Sequence, residues 1–150
     1  MLEAFSPLSQ GSGVSEAAAY DKSKSGTHPI VILAPEDDVE DWNLELPDSW
    51  RSVYVGRTEL VAVIRYLQVD LNRTRYHAYG GGTIYVTRAR LDTEVKLYEA
   101  KTGTLVVEKV FEGTEPVGFP SSLPSGTQYV FGDKTSYQTV MDWLKEFVDK

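Results

Sequence analysis

Residues 94–112, EVKLYEAKTGTLVVEKVFE, decide the fold class because they predict two strands joined by a tight turn. Both arms are rich in β-branched and aromatic residues, which favour the pleated, half-buried surface of a sheet. Gly103 lies in the Lys-Thr-Gly turn between them, where a short hairpin loop requires a residue with positive φ. The segment therefore predicts an antiparallel hairpin with strands at 94–100 and 105–112.

Three further strands are predicted upstream of this hairpin. The run PIVILAP at 29–35 is apolar and bounded by prolines, which indicates a buried strand. The segment ELVAVIRYLQV at 59–69 is apolar at nearly every position up to Arg65, so it predicts a central strand covered on both faces. The segment TIYVTRARL at 83–91 has the two-residue period of a half-exposed strand. Glycines at 80–82 allow a wide turn before it, so the last two strands are expected to pair antiparallel.

A long loop and a helix are predicted after the hairpin. Residues 113–127 contain three prolines and three glycines, so they form neither a helix nor a central strand. Beyond a cap at Thr135 or Ser136, apolar residues recur at helical spacing. These residues are Val140, Trp143, Leu144, Phe147 and Val148. The predicted fold class is α+β: a curved, mainly antiparallel sheet of about four to six strands, with a C-terminal amphipathic helix packed on one face.

Composition predicts the domain organisation. The chain has 150 residues, 41% of them apolar, which suits one domain with a hydrophobic core. Residues 1–27 are rich in serine, glycine and alanine without a sustained period, so they predict a flexible leader or linker that adds nothing to the core. Residues 28–150 are predicted to form a single α+β domain. The sequence has no signal peptide pattern and no run of about 18 apolar residues, so we expect no membrane insertion and a cytoplasmic location by default.

The sequence predicts no catalytic, metal or cofactor site, and hence no enzyme. It contains no cysteine, which excludes disulfides, thiolate metal sites and a cysteine nucleophile. His28 and His77 lie far apart without carboxylates at metal-ligand spacing, so each is predicted to be an ordinary surface or strand histidine. The acidic run at 36–41 lacks a calcium-loop pattern and predicts a solvated loop. A hydrolase is a third hypothesis, which requires His77 in a pocket beside an acid and a serine.

Charge is unevenly distributed along the chain. The formal net charge of −7 argues against general affinity for nucleic acid, yet residues 57–90 contain six bases and two acids. Basic and aromatic side chains on neighbouring strands predict an alternative binding face for a small molecule or single-stranded nucleic acid. This face comprises Arg73, Arg75, Tyr85, Arg88 and Arg90. The competing explanation is that these arginines pair with acids of the flanking segments.

Four apolar residues are predicted anchors for an unknown protein partner. Phe119 and Leu123 lie in the Pro-rich loop, and Trp42 and Trp50 follow the acidic run. Exposed rings in loops are common binding anchors, although core packing is the competing explanation for both tryptophans. The sequence therefore favours a non-catalytic protein-interaction or assembly module, as part of a larger complex or a longer parent protein.

The stretch from Glu59 to Val148 resembles an uncharacterised bacterial α+β domain. The similarity includes the strand ELVAVI, a Tyr-Gly-Gly turn, the hairpin LYEAKTGTLVVEKVFEG, the Pro-rich loop and a closing helix with a Trp-Leu pair. The hairpin resembles those of envelope-associated bacterial proteins, whose α+β modules serve in protein assemblies. The resemblance implies an assembly role and an extracytoplasmic location, and it implies no catalytic residue because the family has no established activity.

The same resemblance implies a contact between two distant regions. The family tends to place cysteines near the Tyr-Gly turn and inside the Pro-rich loop, at about the positions of His77 and Phe119 in this chain. We therefore expect these two regions to lie close together. Because this chain has no cysteine at either position, the resemblance does not extend to an oxidising environment.

Overall fold

The computed structural model of the protein describes residues 1–35, 39–77, 80–124 and 126–150, without the side chains of 39–41. The side chains of the predicted acidic loop at 36–41 lie outside the described residues, so the solvated loop there stays a prediction. No helix in the described part of the chain is long and apolar enough to cross a membrane.

The structure is an α+β fold with a mostly antiparallel, open sheet of five strands, which confirms the predicted fold class. The sheet order is β1-β2-β3-β4, and β5 pairs with β3. Two pairings are parallel: β1 with β2, and β5 with β3. The strands are β1 (Ile30–Leu33), β2 (Leu60–His77), β3 (Thr83–Glu99), β4 (Leu105–Phe111) and β5 (Tyr129–Phe131). The helices are α1 (Val39–Leu44), α2 (Tyr137–Val148) and two 3₁₀ helices, Leu2–Gln10 and Val55–Arg57.

The chain divides into two compact units, and strands β2 and β3 each contribute residues to both. Unit 1 comprises Met1–Arg65, Glu94–Val110 and Ser136–Lys150. Unit 2 comprises Tyr66–Thr93 and Phe111–Thr135. The predicted boundary between residues 27 and 28 is not a boundary of either unit, since unit 1 contains the whole of Met1–Arg65.

Unit 1 contains a large hydrophobic core. All four residues of β1 are buried, and so are the first five residues of β2, as expected for a central strand covered on both faces. Helix α2 begins after Ser136, whose Oγ accepts a hydrogen bond from the Thr139 N–H at 3.2 Å and so caps the helix. Its buried residues are Val140, Met141, Leu144 and Val148. Trp143 and Phe147 are half-buried and contact each other edge to face, with ring centroids 5.2 Å apart.

The N-terminal segment is part of this core, so the expectation that residues 1–27 contribute nothing to it was wrong. Phe5 and Leu8 are completely buried and pack with residues of β1 and β2. Leu2, Phe5 and Leu8 are three residues apart, and a 3₁₀ helix places residues at that spacing on one face. The abundance of serine and glycine around them concealed this short apolar period.

The N-terminal segment also packs closely against the predicted hairpin turn. The Val14 N–H donates to the Ala100 carbonyl at 2.8 Å. A Cβ atom on Gly13 would lie 2.3 Å from the Lys101 carbonyl oxygen, so only glycine permits this approach of the two backbones. The turn itself is as predicted, because Gly103 has a φ of 74° between β3 and β4.

Unit 2 has a much smaller core. Only four apolar residues are buried within its described part: Val86, Ala89, Phe111 and Pro116. The turn between β2 and β3 contains Gly80 and Gly81, both with positive φ, in agreement with the predicted wide turn. Backbone pairing and polar side-chain contacts therefore contribute much of the stability of unit 2.

Candidate functional site

Arg88 holds the described part of the Pro-rich loop (113–127) against one face of the sheet in unit 2. Its Nη2 donates to the Pro116 carbonyl at 3.0 Å, and its Nη1 donates to Asn72 Oδ1 at 3.2 Å. The Glu115 carboxylate lies 3.5 Å from Nη2 and completes the arrangement. Arg88 is therefore a bridge between β2, β3 and the loop.

A second arginine fixes the start of the same loop through Asp92. Arg90 Nε and Nη2 donate to the two Asp92 oxygens at 2.7 and 2.9 Å, and the Gly113 N–H donates to Asp92 Oδ1 at 3.0 Å. The Arg90 hydrogen bonds, together with the Gly113 N–H, hold the pKa of Asp92 below its ordinary value, although burial acts in the opposite direction. The same carboxylate raises the pKa of Arg90. These hydrogen bonds of Asp92 with Arg90 and Gly113 favour an ionised Asp92 carboxylate.

A third contact joins the middle of the loop to β2. The Tyr76 hydroxyl donates to the Pro120 carbonyl at 2.6 Å. Tyr76 and Pro120 are the neighbours of His77 and Phe119, so the two regions expected to lie close together are in contact. With the Arg88 and Asp92 contacts, this bond makes residues 113–120 an ordered loop, as predicted from its prolines.

An open cleft of about 540 Å³ lies between this loop and β5. Residues 114–120 line one side, and residues 130–133 line the other. Its apolar lining includes Phe119, which is half-buried, Val117, which is fully exposed, and Phe131. Glu115 and Asp133 are the charged residues of the lining, and both are acidic.

Exposed aromatic rings lie on and beside β5. Tyr129 and Phe131 remain 40% and 43% exposed and stack with ring centroids 5.6 Å apart. Tyr85 of β3 is 56% exposed, and the Arg73 guanidinium lies 4.9 Å from its ring centroid. Side chains alternate along a strand, so Tyr85 lies on the face opposite to Arg88 and Arg90.

The structure divides the predicted Arg/Tyr face between two faces of the sheet. Arg88 and Arg90 are bound to the Pro-rich loop and Asp92, as the competing explanation of arginine–acid pairing required. Arg73 and Arg75 are exposed, and Arg73 joins Tyr85 on the other face. The five residues therefore do not form one surface, because the loop covers only one side of β3.

The predicted protein anchors also divide. Phe119 lines the cleft, whereas Leu123 is half-buried further along the loop. Trp42 and Trp50 are only 1% and 4% exposed, so they are core residues rather than exposed anchors, and their prediction as binding residues is corrected. Trp42 contacts the Tyr137 ring edge to face at 4.5 Å between centroids. Both tryptophans, which lie between charged residues in the sequence, are therefore on the buried side of unit 1.

Sequence reasoning missed a buried ion-pair cluster around His28 in unit 1. His28 is completely buried, with Nδ1 2.5 Å from Glu59 Oε2 and Nε2 3.0 Å from the Lys24 carbonyl. A carbonyl only accepts, so Nε2 donates to Lys24, and Nδ1 faces the Glu59 carboxylate. The Tyr20 ring contacts the imidazole edge to face. Because both ring nitrogens are occupied, this histidine crosslinks the fold and offers no free nitrogen to a metal or substrate.

His77 does not meet the requirement of the hydrolase hypothesis. It is exposed at the last residue of β2. Within the ranges that the structure describes, no group of three or more His, Cys, Asp or Glu residues could hold a metal ion. The exposed position of His77 therefore argues against the hydrolase hypothesis.

Comparison with known proteins found no matching family model, no similar curated protein and no similar solved structure. The loop, the cleft and the exposed rings of unit 2 are therefore the features of the chain that bear on its function.

Proposed function

We propose that this chain is a protein-binding module and that its contact surface is the aromatic rim of unit 2, defined as Val117, Phe119, Tyr129 and Phe131. One observation carries the proposal. Tyr129 and Phe131 stack on each other on a three-residue edge strand and remain exposed, although rings of that size gain free energy when they are buried.

The surroundings of these rings support a protein partner. Aromatic residues are enriched in protein interfaces, and hot spots cluster where apolar side chains fill a pocket on the partner. The rim borders an open cleft, and Arg88, Asp92 and Tyr76 hold the adjacent loop in place. A loop that is already ordered loses little entropy on binding, which favours affinity.

A capture experiment on the intact chain tests this proposal. The chain and a Tyr129→Ala/Phe131→Ala variant are used to capture proteins from the lysate of the source organism. The matched control is Tyr54→Ala in unit 1, because Tyr54 is 64% exposed and has the same side chain. We expect a protein retained by the unchanged chain and by the control, and lost with the double variant.

The opposite result is equally informative. If the double variant and the unchanged chain retain the same proteins, the aromatic rim is not the contact surface. Circular dichroism of the double variant must show an unchanged fold, since a loss of binding through unfolding would not support the proposal.

A second candidate function is binding of single-stranded nucleic acid by Arg73 and Tyr85, on the face of β3 opposite to Arg88. The contact of the Arg73 guanidinium with the exposed Tyr85 ring favours it, since such binders combine cationic groups with stacking rings. The test is fluorescence anisotropy of labelled single-stranded oligonucleotides with the intact chain and with Arg73→Ala/Arg75→Ala. This function requires binding that weakens steeply between about 50 and 200 mM salt and is lost in the variant.

A further inference from the structure

Strand β5 has an open edge that faces away from β3. The Gln128 carbonyl accepts from the Thr87 N–H at 2.9 Å, and the Gly132 N–H donates to the Ala89 carbonyl at 3.3 Å. Backbone groups point alternately to the two sides of a strand, so those of Tyr129 and Phe131 point away from β3. Within the described residues β5 pairs with β3 alone.

The side chains of β5 do not protect this edge. Natural edge strands carry a lysine, a proline or an inward charge that prevents another strand from pairing. Strand β5 reads Tyr-Val-Phe and carries none of these. Its shortness limits the pairing to a few backbone hydrogen bonds, so a partner strand needs further contacts for affinity. The cleft beside β5 offers these contacts.

The charged residues that line the cleft indicate which charge a partner segment should carry. Its apolar lining includes Val117, Phe119 and Phe131, and its charged lining residues, Glu115 and Asp133, are acids. Two hydrogen bonds hold Asp133 beside the edge. The Asp133 N–H donates to Thr114 Oγ1 at 2.8 Å, and the Asp133 carbonyl accepts from the Thr114 N–H at 2.8 Å. Glu115 already pairs with Arg88 at 3.5 Å, so the attraction of a lysine or arginine side chain, and the repulsion of an acidic peptide or a phosphate, depend mainly on Asp133.

We propose that the β5 edge binds an extended, basic peptide segment of a partner protein by strand addition. The peptide backbone pairs with Tyr129 and Phe131, an apolar side chain enters the cleft beside Phe119, and a lysine or arginine lies near Glu115 and Asp133. This inference rests on the proposed protein-binding function and names the chemistry of the partner.

The first test uses synthetic peptides as probes. A blocked ten-residue peptide of alternating lysine and valine is titrated into the intact ¹⁵N-labelled chain and followed by NMR. We expect amide shifts concentrated at residues 114–120 and 128–133. Replacing every lysine by glutamate should weaken binding at least about tenfold, since opposite charge at the rim becomes like charge. A peptide with N-methyl groups on alternate residues cannot pair along one edge and should also bind at least about tenfold more weakly.

The second test separates the backbone of β5 from its rings. Phe131→Pro removes an N–H that points away from β3, and an edge strand tolerates proline at such a position. Phe131→Ala removes the same ring but keeps the N–H, so it is the matched control. We expect Phe131→Pro to bind the lysine–valine peptide at least about tenfold more weakly than Phe131→Ala, with the spectrum of unit 1 unchanged.

The outcomes distinguish this inference from the function it rests on. Any of four results would overturn strand addition by a basic peptide. These are equal binding of the lysine and glutamate peptides, equal binding by the two Phe131 variants, absence of peptide binding, and self-association of the chain through β5. The proposed function would still stand if the lysate partner is lost with Tyr129→Ala/Phe131→Ala. If that partner is retained by the double variant, the proposed function itself fails.

Discussion

The two units of this chain are stabilised by different interactions. Unit 1 contains most of the buried apolar side chains and carries seventeen acids against ten bases, which is the whole net charge of −7. Unit 2 contains five acids and five bases and buries few apolar residues. Burial of apolar surface is the main source of stability in unit 1, whereas strand pairing and the Arg88 and Asp92 contacts matter more in unit 2. A unit with a small core can leave its rings on the surface, where a partner can use them.

The largest expected effect is in unit 1, at the N-terminal segment. Phe5→Ala should lower the free energy of unfolding by about 3–5 kcal/mol, because it leaves a cavity among buried residues of the core. Urea unfolding followed by tryptophan fluorescence measures this value, since Trp42 and Trp50 are buried in the same unit. The control is Leu44→Ala, an exposed position expected to change stability by less than about 0.5 kcal/mol. A similarly small effect at Phe5 would mean that the segment is a linker after all.

The next effect concerns the buried ion pair of unit 1. His28→Ala should lower the free energy of unfolding by about 3 kcal/mol, because Glu59 is left buried with its imidazole partner removed. Lys24→Ala is the control, since the Lys24 ammonium is mostly exposed and lies 3.7 Å from the same carboxylate. We expect the control to cost less than about 1 kcal/mol. Equal losses from both variants would show that the buried histidine is no more important than a surface cation.

A smaller, pH-dependent effect is expected in unit 2. Asp92→Asn removes the acceptor of Arg90 and should lower the free energy of unfolding by about 1–2 kcal/mol at pH 7. Because the pKa of Asp92 is lowered by folding, its contribution is complete above the unfolded value of about 4 and is lost as the pH falls through the folded value. The difference between the variant and the unchanged chain should therefore shrink below about pH 4.

Urea unfolding by circular dichroism at pH 7, 5, 4 and 3 checks this dependence. Asp70→Asn is the matched control, because Asp70 is an exposed carboxylate of the same unit that bonds the Gln68 side chain at 2.8 Å. If the difference in free energy of unfolding between Asp92→Asn and the unchanged chain is the same at every pH, the contacts of Asp92 with Arg90 and Gly113 do not depend on an ionised carboxylate.

The smallest effect on stability is expected where the effect on binding is largest. Tyr129→Ala should lower the free energy of unfolding by about 0.5–1 kcal/mol, since its ring is 40% exposed on an edge strand and stacks on Phe131. Thermal unfolding of the variant, compared with Tyr54→Ala, measures it. A loss above about 2 kcal/mol would mean that the ring belongs to the core of unit 2, and the contrast between the units would weaken.

Local elements were predictable because they depend on neighbouring residues. The hairpin around Gly103 and the Ser136 cap agree with the structure, since turn geometry and helix capping are decided within a few residues. The alternation of Tyr85 with Arg88 was also visible in sequence. The sequence could not show that a loop more than twenty residues later in the chain covers one of the two faces of β3.

The candidate site shows the same limit. Phe119 was chosen from its place in the Pro-rich loop, and it lines the cleft, although its role in binding stays a prediction. Tyr129 and Phe131 were not chosen, because three residues are too few for a period and β5 forms only through pairing with β3. Their exposure follows from the position of β5 at an edge of the sheet.

The sequence by itself determined the fold class, the central strands, the hairpin and the closing helix, because periodicity and turn chemistry are local properties. Only the tertiary structure decided which apolar residues are buried. It placed Phe5 and Trp42 in the core, paired His28 with Glu59, and left Phe131 exposed beside a cleft. Burial depends on contacts between residues far apart in the chain, and a single sequence carries no direct record of those contacts.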